Sequence, residues 1–167
     1  MASRIRAEIK QGRPFASSAQ EATVALLRTA SVVSRVIARR LEPWGVSMAQ
    51  YNALRIIRGA GPAGIATLAI RERMIEEGTT ITRIVDRLEE AGLIRRDRTG
   101  SDKRQVFCIA TAAGKRLLDE ADPVIDAADA AAMDALSTEQ VRAFIALLDA
   151  VRAGNAQQGA PRNALSK

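Results

Sequence analysis

The chain has 167 residues, of which 47% are hydrophobic and 26% charged, with no histidine, one cysteine and a net charge of +6. One cysteine excludes an internal disulfide, and without histidine the common zinc sets and the Ser-His-Asp or Cys-His catalytic arrangements cannot be built, so no enzyme, metal or cofactor is expected. The N-terminus MASRIRAEIKQGRPF has no apolar run of signal-peptide length, and no stretch approaches the roughly 18 apolar residues of a bilayer span, so a cytoplasmic protein with no membrane partner is expected.

Charge is unevenly placed. Residues 1–58 carry ten basic and three acidic side chains, residues 111–153 four and eight, and the stretch 93–104 sets Arg95, Arg96, Arg98, Lys103 and Arg104 against Asp97 and Asp102. Such a local basic projection suits a polyanion.

In chain order, residues 1–17 form a basic arm with Arg4, Arg6, Lys10 and Arg13. Ser18 with Glu21 reads as a capping box for a long amphipathic helix, apolar at Leu26, Val33, Val36, Ile37 and Leu41 and ended by Pro43. Ser47 with Gln50 opens a second helix bearing Tyr51, Leu54 and Ile57, closed by Gly59-Ala-Gly-Pro62. Residues 67–74 are helical by composition, and a fourth helix is expected from near Thr79.

In that fourth helix Ile81, Ile84, Val85 and Leu88 recur at i, i+3, i+4 and i+7, which turns Thr80, Thr82, Arg83, Asp86 and Arg87 outward. After Ala91-Gly92 the pattern becomes β, with residues 93–98 and 105–111 as two strands around the polar tip Thr99-Gly-Ser-Asp102. Arg95, Arg96 and Arg98 alternate along the first strand, so one set alone faces a ligand, and Arg96 and Arg98 are favoured. Cys108 sits in an apolar strand and reads as a small core residue.

Thr111 is placed to cap a helix over 112–135, in which Pro123 is expected to kink or break the chain. Ser137 with Gln140 opens a last helix with Val141, Phe144, Ile145, Leu148 and Val151 on its stripe, ended by Gly154-Asn155, and residues 156–167 read as disordered. Gly59-Ala-Gly-Pro-Ala-Gly64 lacks both the strand-to-helix GxGxxG pattern and the P-loop lysine, so it reads as a loop.

Four helices, a hairpin and two more helices give a mainly α fold with a small β-hairpin wing: a winged helix-turn-helix flanked by N- and C-terminal dimerisation helices. The expected divisions are an arm at 1–17, dimerisation helices at 18–46 and 112–153, a DNA-binding lobe at 47–111 and a flexible tail at 154–167. Long apolar-striped helices at both ends exceed what one small core needs, which favours self-association.

These residues resemble the MarR (multiple antibiotic resistance regulator) family. The likeness lies in Gln50-Tyr51-Asn-Ala-Leu54-Arg-Ile-Ile-Arg58-Gly59, in Ile81-Thr82-Arg83-Ile-Val-Asp86-Arg87-Leu88-Glu89-Glu-Ala-Gly92-Leu93-Ile-Arg95-Arg96, and in Asp102-Lys-Arg104-Gln-Val-Phe107 leading to Thr111-Ala-Ala-Gly114. Ala110 departs from the usual Leu before the Thr, and the turn at residues 74–78 is about two residues longer than the commonest family form. The resemblance implies a homodimeric transcriptional regulator of repressor type on a pseudo-palindromic operator, with double-stranded DNA as partner and release by a small molecule.

On that reading Thr79, Thr80, Thr82, Arg83 and Arg87 meet the major groove or phosphates, and Arg96, Arg98, Lys103 and Arg104 serve the wing. Asp102 shapes the wing tip through Arg104. Relatives bind small aromatic or phenolic ligands near the junction of the first two helices, where Trp44 and Tyr51 either line such a pocket or simply pack. The alternative function is a winged helix used for protein contacts without sequence-specific DNA binding.

Overall fold

A computed structural model describes residues 4–76, 80–97 and 106–159. Seven helices and three strands follow the chain as α1 (Arg4–Glu8), α2 (Ser18–Leu41), α3 (Met48–Gly59), β1 (Ile65–Ala66), α4 (Thr67–Arg71), α5 (Ile81–Glu90), β2 (Ile94–Asp97), β3 (Phe107–Ala110), α6 (Ala112–Met133) and α7 (Thr138–Gly159). Helices dominate, with a three-stranded antiparallel sheet in the order β1-β3-β2, the winged-helix arrangement expected from the sequence.

The chain divides into two compact units, Met1–Ala128 and Asp129–Lys167. In the first, the fully buried side chains Leu41, Leu54, Ile57, Ile70, Val85, Leu88, Cys108 and Leu118 draw on α2 to α6 and on the sheet. The second holds the end of α6 and α7, whose Ile145 and Leu147 are 53% and 66% exposed.

Helix starts follow capping chemistry. The first box sits one residue earlier than the sequence suggested: Ser17 Oγ accepts from the Gln20 N–H at 3.1 Å, and Gln20 Oε1 accepts from the Ala16 N–H at 2.7 Å. Ser17-x-x-Gln20 meets the same requirement as Ser18-x-x-Glu21, and its glutamine reaches back to a free backbone donor. The boxes Ser47/Gln50 and Ser137/Gln140 form as expected. Pro43 ends α2 in a single 3-10 turn, and Gly45 leaves it with φ +65°.

Several boundaries differ from expectation. α4 stops at Arg71, short of Met74. α5 begins at Ile81 with Thr80 as its non-helical cap; Thr79, like Arg98, Asp102, Lys103 and Arg104, lies outside the described residues. Instead of breaking at Pro123, α6 runs through it to Met133. Proline removes one N–H rung there, at the Asp119 carbonyl, while the surrounding Ala, Leu and Asp residues keep the helix.

Instead of ending at Gly154-Asn155, α7 runs on to Gly159. An interior Gly costs a helix only about 1 kcal/mol, and Asn155 Nδ2 donates to the Val151 carbonyl at 2.8 Å within the helix. The arm at residues 1–17 contains α1, whose Ile5 is buried, and Arg6 donates to the Gln11 and Gly12 carbonyls at 3.1 and 2.8 Å.

Strand β1 was not anticipated. It follows Gly64, whose φ of +72° and lack of a side chain let the backbone approach β3; a Cβ there would lie 2.6 Å from Ile109 Cγ1 and 2.8 Å from the Cys108 carbonyl oxygen. Only glycine accommodates both demands. Ile65 then pairs with Cys108, while β2 pairs with β3 from Ile94↔Ala110 to Asp97↔Phe107.

Candidate nucleic-acid interface

The outward face of α5 follows from its inward one. Ile81, Ile84, Val85 and Leu88 are buried against the core, each contributing roughly 1.5–3 kcal/mol of apolar transfer, which fixes the helix rotation. Thr80, Thr82, Arg83 and Arg87 are thereby exposed. Arg83 and Arg87, one turn apart, make no ion pair among the described residues. Together with Ile84, Ser47 and Gln50 they line a groove of about 300 Å3 between α5 and the N-terminus of α3. The positive end of the α3 dipole thus faces the same groove as two guanidinium groups.

The segment after α4 is anchored by a residue the sequence did not single out. Asn52 Oδ1, on α3, accepts from the Ile75 N–H at 3.1 Å. This ties the chain at Ile75 to α3.

Arg96 is placed differently from its expected outward role. Ile94 is buried and the side-chain period of a strand is two, so Arg96 shares the inner face with Ile94 and sits opposite Cys108. Its guanidinium donates to Asp86, lies 3.3 Å from Glu89 Oε2, and its backbone N–H donates to Glu89 Oε1 at 3.1 Å. The Asp86 hydrogen bond raises the Arg96 pKa further. Arg95 points to the other face, exposed, and donates to Asp97 at 3.0 Å.

The root of the wing is locked to α6. The Thr111 hydroxyl donates to the Gly92 carbonyl at 2.7 Å and accepts from the Gly114 N–H at 3.1 Å, while the Thr111 N–H donates to the Leu93 carbonyl at 3.0 Å. A Cβ on Gly114 would lie 2.1 Å from the Leu93 oxygen. The Thr-x-x-Gly pattern is therefore a packing requirement: the hydroxyl caps α6 and glycine lets the helix start abut the end of the α5–β2 turn.

On the side of α3 that meets α6, Trp44 Nε1 donates to Glu120 at 3.2 Å, and the buried Tyr51 donates its hydroxyl to Asp122 Oδ1 at 2.6 Å. Arg58 donates to the second Asp122 oxygen at 2.6 Å. Burial alone would push the Asp122 carboxyl up; the Tyr51 hydroxyl, Arg58 and Arg55 overcome this and hold it below the usual carboxylate range. Burial, and then Asp122, push the Tyr51 phenol up. Cys108 is fully buried beneath Thr67, and burial pushes its thiol up, as suits a core residue.

Residues 46–106 match the MarR family. Transcriptional regulator HosA of Escherichia coli O157:H7 is 33% identical over 99 residues, which span 59% of this chain and 72% of HosA. The chain belongs to the MarR family. It is also 27% identical over 124 residues to the HTH-type transcriptional repressor Rv2887 of Mycobacterium tuberculosis, covering 74% of this chain and 88% of that protein. The crystal structure of Sco3205, a MarR family transcriptional regulator from Streptomyces coelicolor in complex with DNA, shares the fold with a TM-score of 0.76 at 21% identity, over 93% of this chain and 96% of that one.

This MarR-family chain is a transcriptional regulator. Among the described residues no helix is long and apolar enough to cross a membrane, and no group of metal-binding side chains is present.

Proposed function

We propose that the protein is a homodimeric repressor of MarR type that reads a pseudo-palindromic operator in double-stranded DNA. The observation that carries this is the outward face of α5. Its first two turns present Thr80, Thr82, Arg83 and Arg87, while two of its three carboxylates, Asp86 and Glu89, are taken by Arg96. The face offered to a polyanion keeps its cations and has two of its anions neutralised.

In this reading Thr80, Thr82 and Arg83, with Thr79 before them, approach base edges and phosphates of the major groove. Arg87 and the groove beside the α3 N-terminus suit a phosphate. Arg98, Lys103 and Arg104 serve the wing, with Asp102 shaping its tip. Arg96 acts from inside, holding β2 against α5 so that wing and reading helix present a fixed angle. Sco3205, which shares the fold, was crystallised in complex with DNA, and Rv2887 is named a repressor.

Self-association is supported within each unit separately. On α2, Leu27 is 66% exposed and Val32 and Val36 are also exposed, and α7 carries exposed Ile145, Leu147 and Val151. Exposed apolar side chains spread along two long helices are commonly covered by a partner. Trp44 and Tyr51 would meet a small aromatic or phenolic ligand that competes for Glu120 or Asp122, releasing the repressor by disturbing the contact between α3 and α6.

The test is selection of bound duplexes from a randomised pool, followed by footprinting. A two-fold symmetric consensus whose half-sites are about one helical turn apart supports the proposal. Recovery of no consensus, with equal retention of all duplexes, overturns it in favour of a protein-contact module.

A further inference from the structure

Tyr51, Arg55 and Arg58 lie at i, i+4 and i+7 on α3, so they form one stripe on a single face of that helix. The stripe meets one turn of α6. Both oxygens of Asp122 are taken at 2.6 Å, one by the Tyr51 hydroxyl and one by Arg58 Nη2. Arg58 Nη1 also lies 3.6 Å from Asp119, and Arg55 lies 3.8 Å from Asp122 with its guanidinium 5.7 Å from the centre of the Tyr51 ring. Two cations and two anions balance, and Asp122, with its side chain 22% exposed, is better shielded than an ordinary surface pair.

The turn of α6 that receives these bonds is also its weakest. Pro123 follows Asp122 directly and deprives the Asp119 carbonyl of its helical donor, so the backbone there resists bending less than the rest of α6. α3 itself is bound to α5 through the buried Leu54, Ile57, Val85 and Leu88. The reading helix, α3 and the proline turn of α6 are therefore connected in series, and the last link joins the apolar packing of Leu118, Ala121 and Ile125 to this discrete polar set.

We propose that Asp122, with Tyr51 and Arg58, is a latch that fixes the DNA-reading lobe on the proline turn of α6 and thereby sets which half-site spacing the protein accepts. The three are positioning residues: none lies on the outward face of α5, and none need touch DNA. The inference rests on the reading of the protein as a dimeric operator-binding regulator.

The test uses the full-length protein and a panel of duplexes carrying its selected half-sites with the spacer lengthened or shortened by one and two base pairs. The wild type is expected to discriminate sharply between the best spacer and its neighbours. Asp122→Asn and Arg58→Gln are expected to reduce that discrimination at least fivefold, largely by improved binding to wrong spacers, with the salt dependence of affinity unchanged because no phosphate contact is lost. A merely structural role would lower the active fraction equally for every spacer and leave the ratio alone.

Tyr51→Phe, which removes one oxygen and keeps the ring, provides a mild variant if the charge changes prevent folding, and a twofold or larger loss of discrimination is expected from it. Folded variants that keep the wild-type spacer ratio overturn the latch while leaving operator binding intact. A wild type that binds every spacer alike, or binds no duplex, overturns the operator reading itself and the latch with it.

Discussion

Gly114→Ala tests how the wing is rooted. The added methyl would lie 2.1 Å from the Leu93 carbonyl oxygen and 3.2 Å from Leu54 Cδ1, so the start of α6 has to move by about 1 Å from the α5–β2 turn. The obstacle is backbone, which has no rotamer to escape into. Overpacking of this kind costs roughly 3 kcal/mol, and the same shift weakens the Thr111 cap by about 1 kcal/mol, while Ala for Gly in a helix returns about 1 kcal/mol.

The net expectation is a loss of about 2 to 3 kcal/mol, or roughly 6 to 10 °C in melting temperature for a unit of this size. Gly59→Ala, at the end of α3 with nothing within 4 Å of its Cβ position, is the control and should be neutral or slightly stabilising. Chemical denaturation followed by circular dichroism measures both. Equal stabilisation of the two variants would falsify the close-packing account of the Thr-x-x-Gly pattern.

Arg83→Ala is expected to weaken operator binding by about 1–3 kcal/mol, and Arg87→Ala to reduce affinity evenly across sequences with a salt slope smaller by about one, both read by fluorescence anisotropy. Arg96→Met should lower affinity without changing that slope, because the guanidinium serves Asp86 and Glu89; a reduced slope would place Arg96 on phosphate instead. Because the Asp122 pKa is depressed, the stability it contributes is fully present above about pH 4 and is lost as the pH falls through the folded value, so Asp122→Asn should flatten the acid limb of the stability curve. With no histidine in the chain, operator affinity is expected to stay level from pH 6 to 8. Cys108, buried with a raised pKa, should resist a thiol-reactive dye in the native protein and react on unfolding.

Local chemistry made much of this molecule readable in advance. The i, i+3, i+4, i+7 pattern of Ile81, Ile84, Val85 and Leu88 is one helical stripe, and their burial leaves no freedom in which residues of α5 face outward. The Ser47/Gln50 and Ser137/Gln140 boxes are likewise decided by side chains three residues apart. The inward placement of Arg96 was missed although the signal was there: a strand that buries Ile94 carries residue 96 on the same face.

Other features depend on neighbours far apart in sequence. The two-residue strand β1 has no periodicity of its own and exists because Gly64 lets the chain lie against β3. The bonds of Asp122 to Tyr51 and Arg58 span 71 and 64 residues, and nothing local marks one Asp among the carboxylates of α6. The continuity of α6 through Pro123 reflects a balance between one missing rung and the helix-forming residues around it, which a rule about proline alone does not decide.

The most direct test of the central claim is titration of the protein against the DNA flanking its own gene, beside a scrambled duplex, at two salt concentrations with Arg83→Ala in parallel. Tight, sequence-selective and salt-sensitive binding that the variant loses is the predicted result. Equal, weak binding of wild type and variant to both duplexes would contradict it.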